Sequence, residues 1–244
     1  RLLFENQRWI GNVGWRQNEQ TFDALALEFA PRKDIALRYA FLDRVHRVNG
    51  DDAIDPLARE RKLSTHLLHG AYKRGAQQWS GYAWLHEDRD VATASASTYG
   101  LRWTGSMSLS KTKFGWTLEA AHQRDHANNP LHFSHAYWLL EPALTVRDIT
   151  ARAGWEHLGG NGRHALQTPL ATLHAFNGWA DKFLVPPVNG LEDRYLGVGG
   201  AFGRERAGSR QAWQLTWHDY RADHGSSRYG REWDASWSVP LAKG

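Results

Sequence analysis

Residue character alternates with a period of two along one segment after another, and nothing else constrains the fold as strongly. In DIALRYAFLDRV, Ile35, Leu37, Tyr39 and Phe41 share one face, and Ala36, Arg38, Ala40, Leu42 and Arg44 share the other. STYGLRWTG sets Tyr99, Leu101 and Trp103 against Gly100, Arg102 and Thr104. WTLEAAHQ, ITARAGWEH, AWQLTWHDY and EWDASWSV repeat the pattern, with Glu119, Arg152, Glu156, His218 and Asp234 on their polar faces. Successive side chains of a strand point to opposite faces, so each segment reads as a two-faced β-strand.

Weaker candidates fill the gaps: WIGNVGWRQ, QTFDALALEF, LSTHLLHGAY, QQWSGYAWLH, SHAYWLLEP and EDRYLGVGGAF, the last carrying Arg194. The expected total is about a dozen strands of roughly ten residues, longer than the ~5–6 residues usual in soluble sheets and close to the ~9–11 that cross a bilayer at a tilt. Tight connections (APRKD, KRGAQ, GRERAGSR) roughly alternate with long polar ones (VNGDDAIDPLARERK, HEDRDVATA, HQRDHANNPLH). Short turns on one side and long loops on the other are a property of transmembrane barrels.

Alternation alone does not separate a membrane barrel from a soluble sandwich. The apolar faces carry Trp, Leu, Ala and Gly without the interlocking of large and small residues that a packed core needs. The clear strands place no Lys or Arg on that face. With 13 Trp among 244 residues, aromatics gather near strand ends, where interfacial girdles would hold them. The expected fold is therefore an all-β, antiparallel transmembrane barrel forming a single domain over residues 1–244. No run reaches the ~18 apolar residues of a spanning helix. Cysteine is absent, and the net charge of +4 is scattered rather than gathered into a nucleic-acid-binding tail.

Four stretches, QRWIGNVGWRQNEQTFDA, QTPLATLHAFNGWADKF, NGLEDRYLG and YGREWDASWS, resemble the alginate-export family of bacterial outer-membrane β-barrel porins. The resemblance implies an outer-membrane location and a passive channel for a hydrophilic, anionic solute or polysaccharide, as in alginate export. It also implies contact with outer-membrane lipid, lipopolysaccharide and a periplasmic export complex. That family's barrels have about 18 strands. The chain is thus expected to be a fragment, lacking N-terminal strands and the last hairpin.

The candidate pore-lining residues are Arg38, Arg44, Arg102, Glu119, Arg152, Glu156, Arg194 and Asp234. A ring of such cations selects anions. The alternative is that they pair with carboxylates on neighbouring strands and steady the wall. The stretch 159–189 shows no alternation but is too apolar for a solvated loop. It is expected to fold into the lumen as a constriction, to form an external lid or to act as a periplasmic plug. Its candidate residues are Arg163, His164, His174, Phe176, Trp179, Asp181, Lys182 and Phe183, with Asn177-Gly178 as the turn.

Other chemistry is weakly signalled. His122, His126, His132 and His135 lack a zinc spacing. Asp51, Asp52 and Asp55 lack an EF-hand arrangement. Ser64 with His66, and Ser134 with His135, lack an orienting acid. Gly197–Gly203 precedes no predicted helix, so it is not a phosphate loop. The expectation is a channel with no cofactor, no metal and no enzymatic activity. A soluble β binding protein is the rival class and an outer-membrane hydrolase the next.

Overall fold

The computed structural model describes residues 2–203 and 210–240. Among them, eleven strands form one antiparallel sheet in which every strand pairs with its chain neighbours in order. They are β1 (Thr21–Arg32), β2 (Ile35–His46), β3 (Glu60–Arg74), β4 (Gln77–His86), β5 (Ala96–Leu109), β6 (Thr112–Asp125), β7 (Ser134–Val146), β8 (Ile149–Leu158), β9 (Leu191–Phe202), β10 (Gln211–Arg221) and β11 (Arg228–Ser238). The shortest strands have 10 residues and the longest 15. Ten residues at ~3.4 Å each, tilted by ~40°, climb about 25 Å, the height of the apolar band of an outer-membrane barrel. β1 and β11 are not paired with each other.

The connections segregate by length. Two-residue turns join β1 to β2, β3 to β4, β5 to β6 and β7 to β8. Gly75, Ser110 and Arg147 in these turns take positive φ, as tight hairpins of twisted strands require. The GRERAGSR connection lies mostly outside the described residues. The long connections all emerge at the opposite end, which in such barrels is the extracellular side.

One face of the sheet is apolar and uncovered. Leu101 is 71% exposed, Trp237 67%, Leu25 60% and Leu196 58%. Tyr72, Trp79 and Trp103 stack in sequence along it. Soluble monomers rarely expose a continuous apolar patch beyond a few hundred Å². Hydrocarbon is the solvent that suits this wall.

The opposite, concave face is divided. Towards the short turns it is polar. Towards the long loops it is apolar and filled: Ala40, Leu42, Leu63, Leu67, Trp84, Leu158 and Leu191 are buried under Phe4, Trp9 and Ile10 from residues 2–20 and under Leu166 and Leu170 from the 159–189 loop. The sequence reading anticipates a wet polar face throughout, and the loop-side half departs from it.

WIGNVGWRQ also departs: it is not a strand. Gly11, Gly14 and the left-handed Val13 break extension, and Ile10 makes only an isolated parallel bridge, to Leu170. Residues 2–20 instead form an arm across the concave face. Among the described residues the sheet has eleven strands, against the expected dozen or so.

The orientation of the wall is testable. Leu101→Arg, near the middle of β5 on the uncovered face, should cost about 2–4 kcal/mol of stability in lipid vesicles, measured by urea unfolding. A soluble protein would accept the same change at this exposed site almost without cost.

Candidate functional site

The polar part of the concave face is built from side chains that alternate inward along β5 to β11. Buried carboxylates organise it, held by donors drawn variously from the wall, the arm and the loop. Glu119 accepts from Tyr82 OH at 2.5 Å and Trp9 Nε1 at 2.9 Å, and pairs with Arg102. Glu156 accepts from Tyr137 OH at 2.9 Å and Asn177 Nδ2 at 2.7 Å, and pairs with Arg8 at 3.0 Å. Asp193 sits 2.8 Å from His218 Nδ1 and accepts from Asn177 at 3.2 Å. His218 Nε2 in turn lies 3.6 Å from Asp234. A buried charge needs this density of partners, because removing one partner leaves the other stranded.

Glu5 of the arm joins the same network, 2.6 Å from His69 and 3.8 Å from Arg102. Burial pushes its carboxyl up, but hydrogen bonds from His69 and Ser80 and the charges of His69 and Arg102 outweigh burial and hold it below the usual range.

The 159–189 loop packs against this face. Gln123 of β6 holds it at Gln167 through both the backbone N–H and the carbonyl, at 2.9 and 2.8 Å. Thr172 and Gly11 tie it to the arm. Asn177 and Gly178 turn it with φ of 57° and 86°. A Cβ at Gly178 would fall 2.2 Å from the Tyr220 hydroxyl and 2.6 Å from Glu232 Oε2, so both side-chain ends would have to move, and the positive φ itself favours glycine.

Between loop and wall lies a recess of about 230 Å³. Phe176, Asn177 and Trp179 line it from the loop, and Asn6 from the arm. Arg102, Glu141, Arg152, Glu156, Asp193, Gln214, Thr216, His218 and Asp234 line it from the wall. Tyr195 donates to Glu141 at 2.5 Å, and its ring lies over Gly154, where a Cβ would not fit. Most of these groups satisfy one another. Arg152 is different: among the described residues it makes no hydrogen bond or ion pair, and it lies exposed beside Gly197.

Of the sequence candidates, Arg102, Arg152, Glu156 and Asp234 line this recess, and Glu119 sits beside it, sealed by Trp9 and Tyr82. Arg38 lies further round the concave face, 3.2 Å from Glu28. Two placements correct the sequence reading. A bulge between Leu42 and Arg44 shifts the phase of β2, so Val45 is buried and Arg44 joins Asp23 and Glu60 at the strand end. Arg194 is on the outer wall, its guanidinium 5.3 Å from the Trp155 ring centre, because Asp193 and Tyr195 take the inward positions.

Within the loop, Phe176 lies under Arg8 and Phe183 packs on Tyr220 and Tyr229. His174 binds Asp181 at 2.7 Å. Arg163 and Lys182 are exposed. His164 stacks on Phe133, with ring centres 3.8 Å apart, and its Nδ1 lies 3.3 Å from His135 Nε2. The sequence reading missed Asn177 as a functional side chain, along with the arm residues Glu5, Arg8 and Trp9. An Asn-Gly pair signals a turn but not a buried amide bridging two carboxylates.

An apolar outer wall, a concave face that is polar towards the short turns and a long loop laid across it give this eleven-stranded sheet the fold of an outer-membrane β-barrel. Comparison with solved structures agrees. The chain is similar to OccAB2 of Acinetobacter baumannii over 99% of its own length and 62% of that chain, with a TM-score of 0.72 and 14% identity. OpdK of Pseudomonas aeruginosa, solved with vanillate, matches over 91% of this chain and 59% of its own, with TM-score 0.64 and 13% identity. OpdL of the same organism matches over 92% and 62%, with TM-score 0.64 and 14% identity. At such identities the likeness is one of fold. The chain thus spans 59–62% of the length of these structures. No family model and no curated protein matches the sequence.

Two outcomes test the site. Asn177→Ala removes donors from Glu156 and Asp193 and should destabilise the docked loop by about 1–3 kcal/mol, seen as faster proteolysis within 159–189. Burial, with His135 adding to it, lowers the His164 pKa to about 4. Its folded value lies below the unfolded one, so its stabilisation is complete above pH ~6.5 and fades as pH falls towards 4. Loop protection should weaken over that window, and His164→Phe should flatten the dependence.

Proposed function

We propose that the chain forms the wall and constriction of an outer-membrane channel for small hydrophilic solutes, with organic acids as the favoured class. The supporting observation is Arg152, an unpaired cation in a recess whose other charged groups are mostly committed to one another. A carboxylate could bind it by a bidentate pair. Glu141 and Asp234 lie in the same recess as acceptors for a hydroxyl or amino group on the solute. Carboxylates outnumber cations there, which supports local recognition of an anionic group rather than a strongly positive passage. The vanillate bound by OpdK, a small aromatic carboxylate, is consistent with a solute of this class.

A recess of about 230 Å³ suits a small organic acid better than a polymer. The alginate-like polysaccharide and the export complex rest on the sequence motifs alone. Lipid and lipopolysaccharide are the proposed partners of the apolar wall.

Planar-bilayer conductance of the full-length protein tests this reading. Arg152→Glu should shift the ion preference towards K⁺ and abolish block by small carboxylates. An unchanged Cl⁻/K⁺ ratio together with unchanged block would remove the role of Arg152. Replacing 173–184 by a short Gly-Ser linker should raise single-channel conductance. An equal conductance would mean that the loop does not constrict the path.

A further inference from the structure

We propose that His157, Glu192 and Asp223 form a divalent-metal site on the outside of the barrel, at its loop-side rim. His157 follows Glu156, and Glu192 precedes Asp193, so both point away from the recess. Asp223 comes from the connection between β10 and β11. One ligand atom from each lies within 4.8 Å of the other two.

The imidazole carries the argument. His157 is 4% exposed, and its Nδ1 is buried with no hydrogen-bond partner. That nitrogen faces Glu192 Oε1 and Asp223 Oδ1, each 3.8 Å away. A protonated imidazole would draw a carboxylate to ~2.7–2.9 Å, so a gap of 3.8 Å to both oxygens leaves room for something between them. Zinc at ~2.0–2.2 Å from each atom would bring them to about 3–3.5 Å apart, a contraction within reach of two carboxylate side chains.

The rest of the cluster is already fixed. Trp138 stacks on the His157 ring, with centres 3.5 Å apart and an interplanar angle of 3°. Glu192 Oε2 accepts from Arg194 at 2.7 Å, and Asp223 Oδ2 accepts from the Gly160 N–H at 2.9 Å. Each carboxylate therefore keeps one oxygen for these partners and turns the other to His157. Such outer hydrogen bonds orient metal ligands. Two carboxylates against one Arg leave a net negative site when the imidazole is neutral. One nitrogen with two carboxylates favours zinc, cobalt or nickel over calcium or magnesium. Water would complete the coordination, since the Glu192 and Asp223 side chains keep 17% and 29% of their exposure. The site joins β8, β9 and the β10–β11 connection, and does not depend on what passes through the channel.

The test is calorimetric titration of the full-length protein in detergent, stripped with EDTA, using ZnCl₂. Wild type should bind one Zn²⁺ that is lost or weakened about tenfold or more in Asp223→Asn and in His157→Gln. Asp223→Asn keeps an oxygen for Gly160 and should fold. If His157→Gln does not, Glu192→Gln takes its place. Cobalt should give visible absorption bands in wild type that vanish in Asp223→Asn. Zinc affinity and cobalt spectra unchanged in Asp223→Asn would overturn the site and assign any binding to other histidines. Absence of zinc binding by wild type would overturn it as well, leaving a simple His–carboxylate cluster.

Discussion

In hydrocarbon there is no water to accept a backbone N–H or donate to a carbonyl, and the architecture follows from that deprivation. Each unpaired group costs several kcal/mol, so the wall is a ladder in which each strand is satisfied by its neighbours. Sequential pairing from β1 to β11 achieves this between chain neighbours throughout. It also frees the side chains from hydrogen-bonding duty on the outside, so Trp, Leu, Ala and Gly suffice there. Only β1 and β11 retain an open ladder edge among the described residues, and a closed barrel must pair both.

The concave face solves a different problem. Glu119, Glu156 and Asp193 are almost fully buried, so they cannot rely on solvent. Their partners come from distant parts of the chain: Trp9 and Arg8 from the arm, Asn177 from the loop, Tyr82, Tyr137 and His218 from the wall. The wall's charges thereby position arm and loop, and arm and loop neutralise the wall. Arg152 stands outside this exchange, without a hydrogen bond or ion pair among the described residues.

The sequence exposes the wall and conceals the filling, for identifiable reasons. Leu101, Trp103, Leu215 and Trp237 can be assigned to the outer face because strict alternation reports sidedness directly. Arg194 cannot, since Glu192, Asp193 and Arg194 are polar in succession and the period is lost. Arg44 is displaced by a bulge, an extra residue that leaves no mark in composition. The arm reads as a strand because Trp9, Ile10 and Trp15 are β-formers, whereas its partner Leu170 lies 160 residues away. Arg102, Arg152, Glu156 and Asp234 are legible as inward-facing groups. Which of them stays unpaired depends on contacts across the barrel, which local pattern does not carry.

The parallel bridge between Ile10 and Leu170 has a consequence for assembly. It joins two segments 160 residues apart, and contacts of such high sequence separation tend to form late in folding. The wall should therefore mature first around a hydrated interior, and the arm and loop should settle into it last. Two cooperative units follow, an outer shell and an inner stopper with its own lower opening energy. Amide exchange in the arm and loop should therefore run ahead of exchange in the strands.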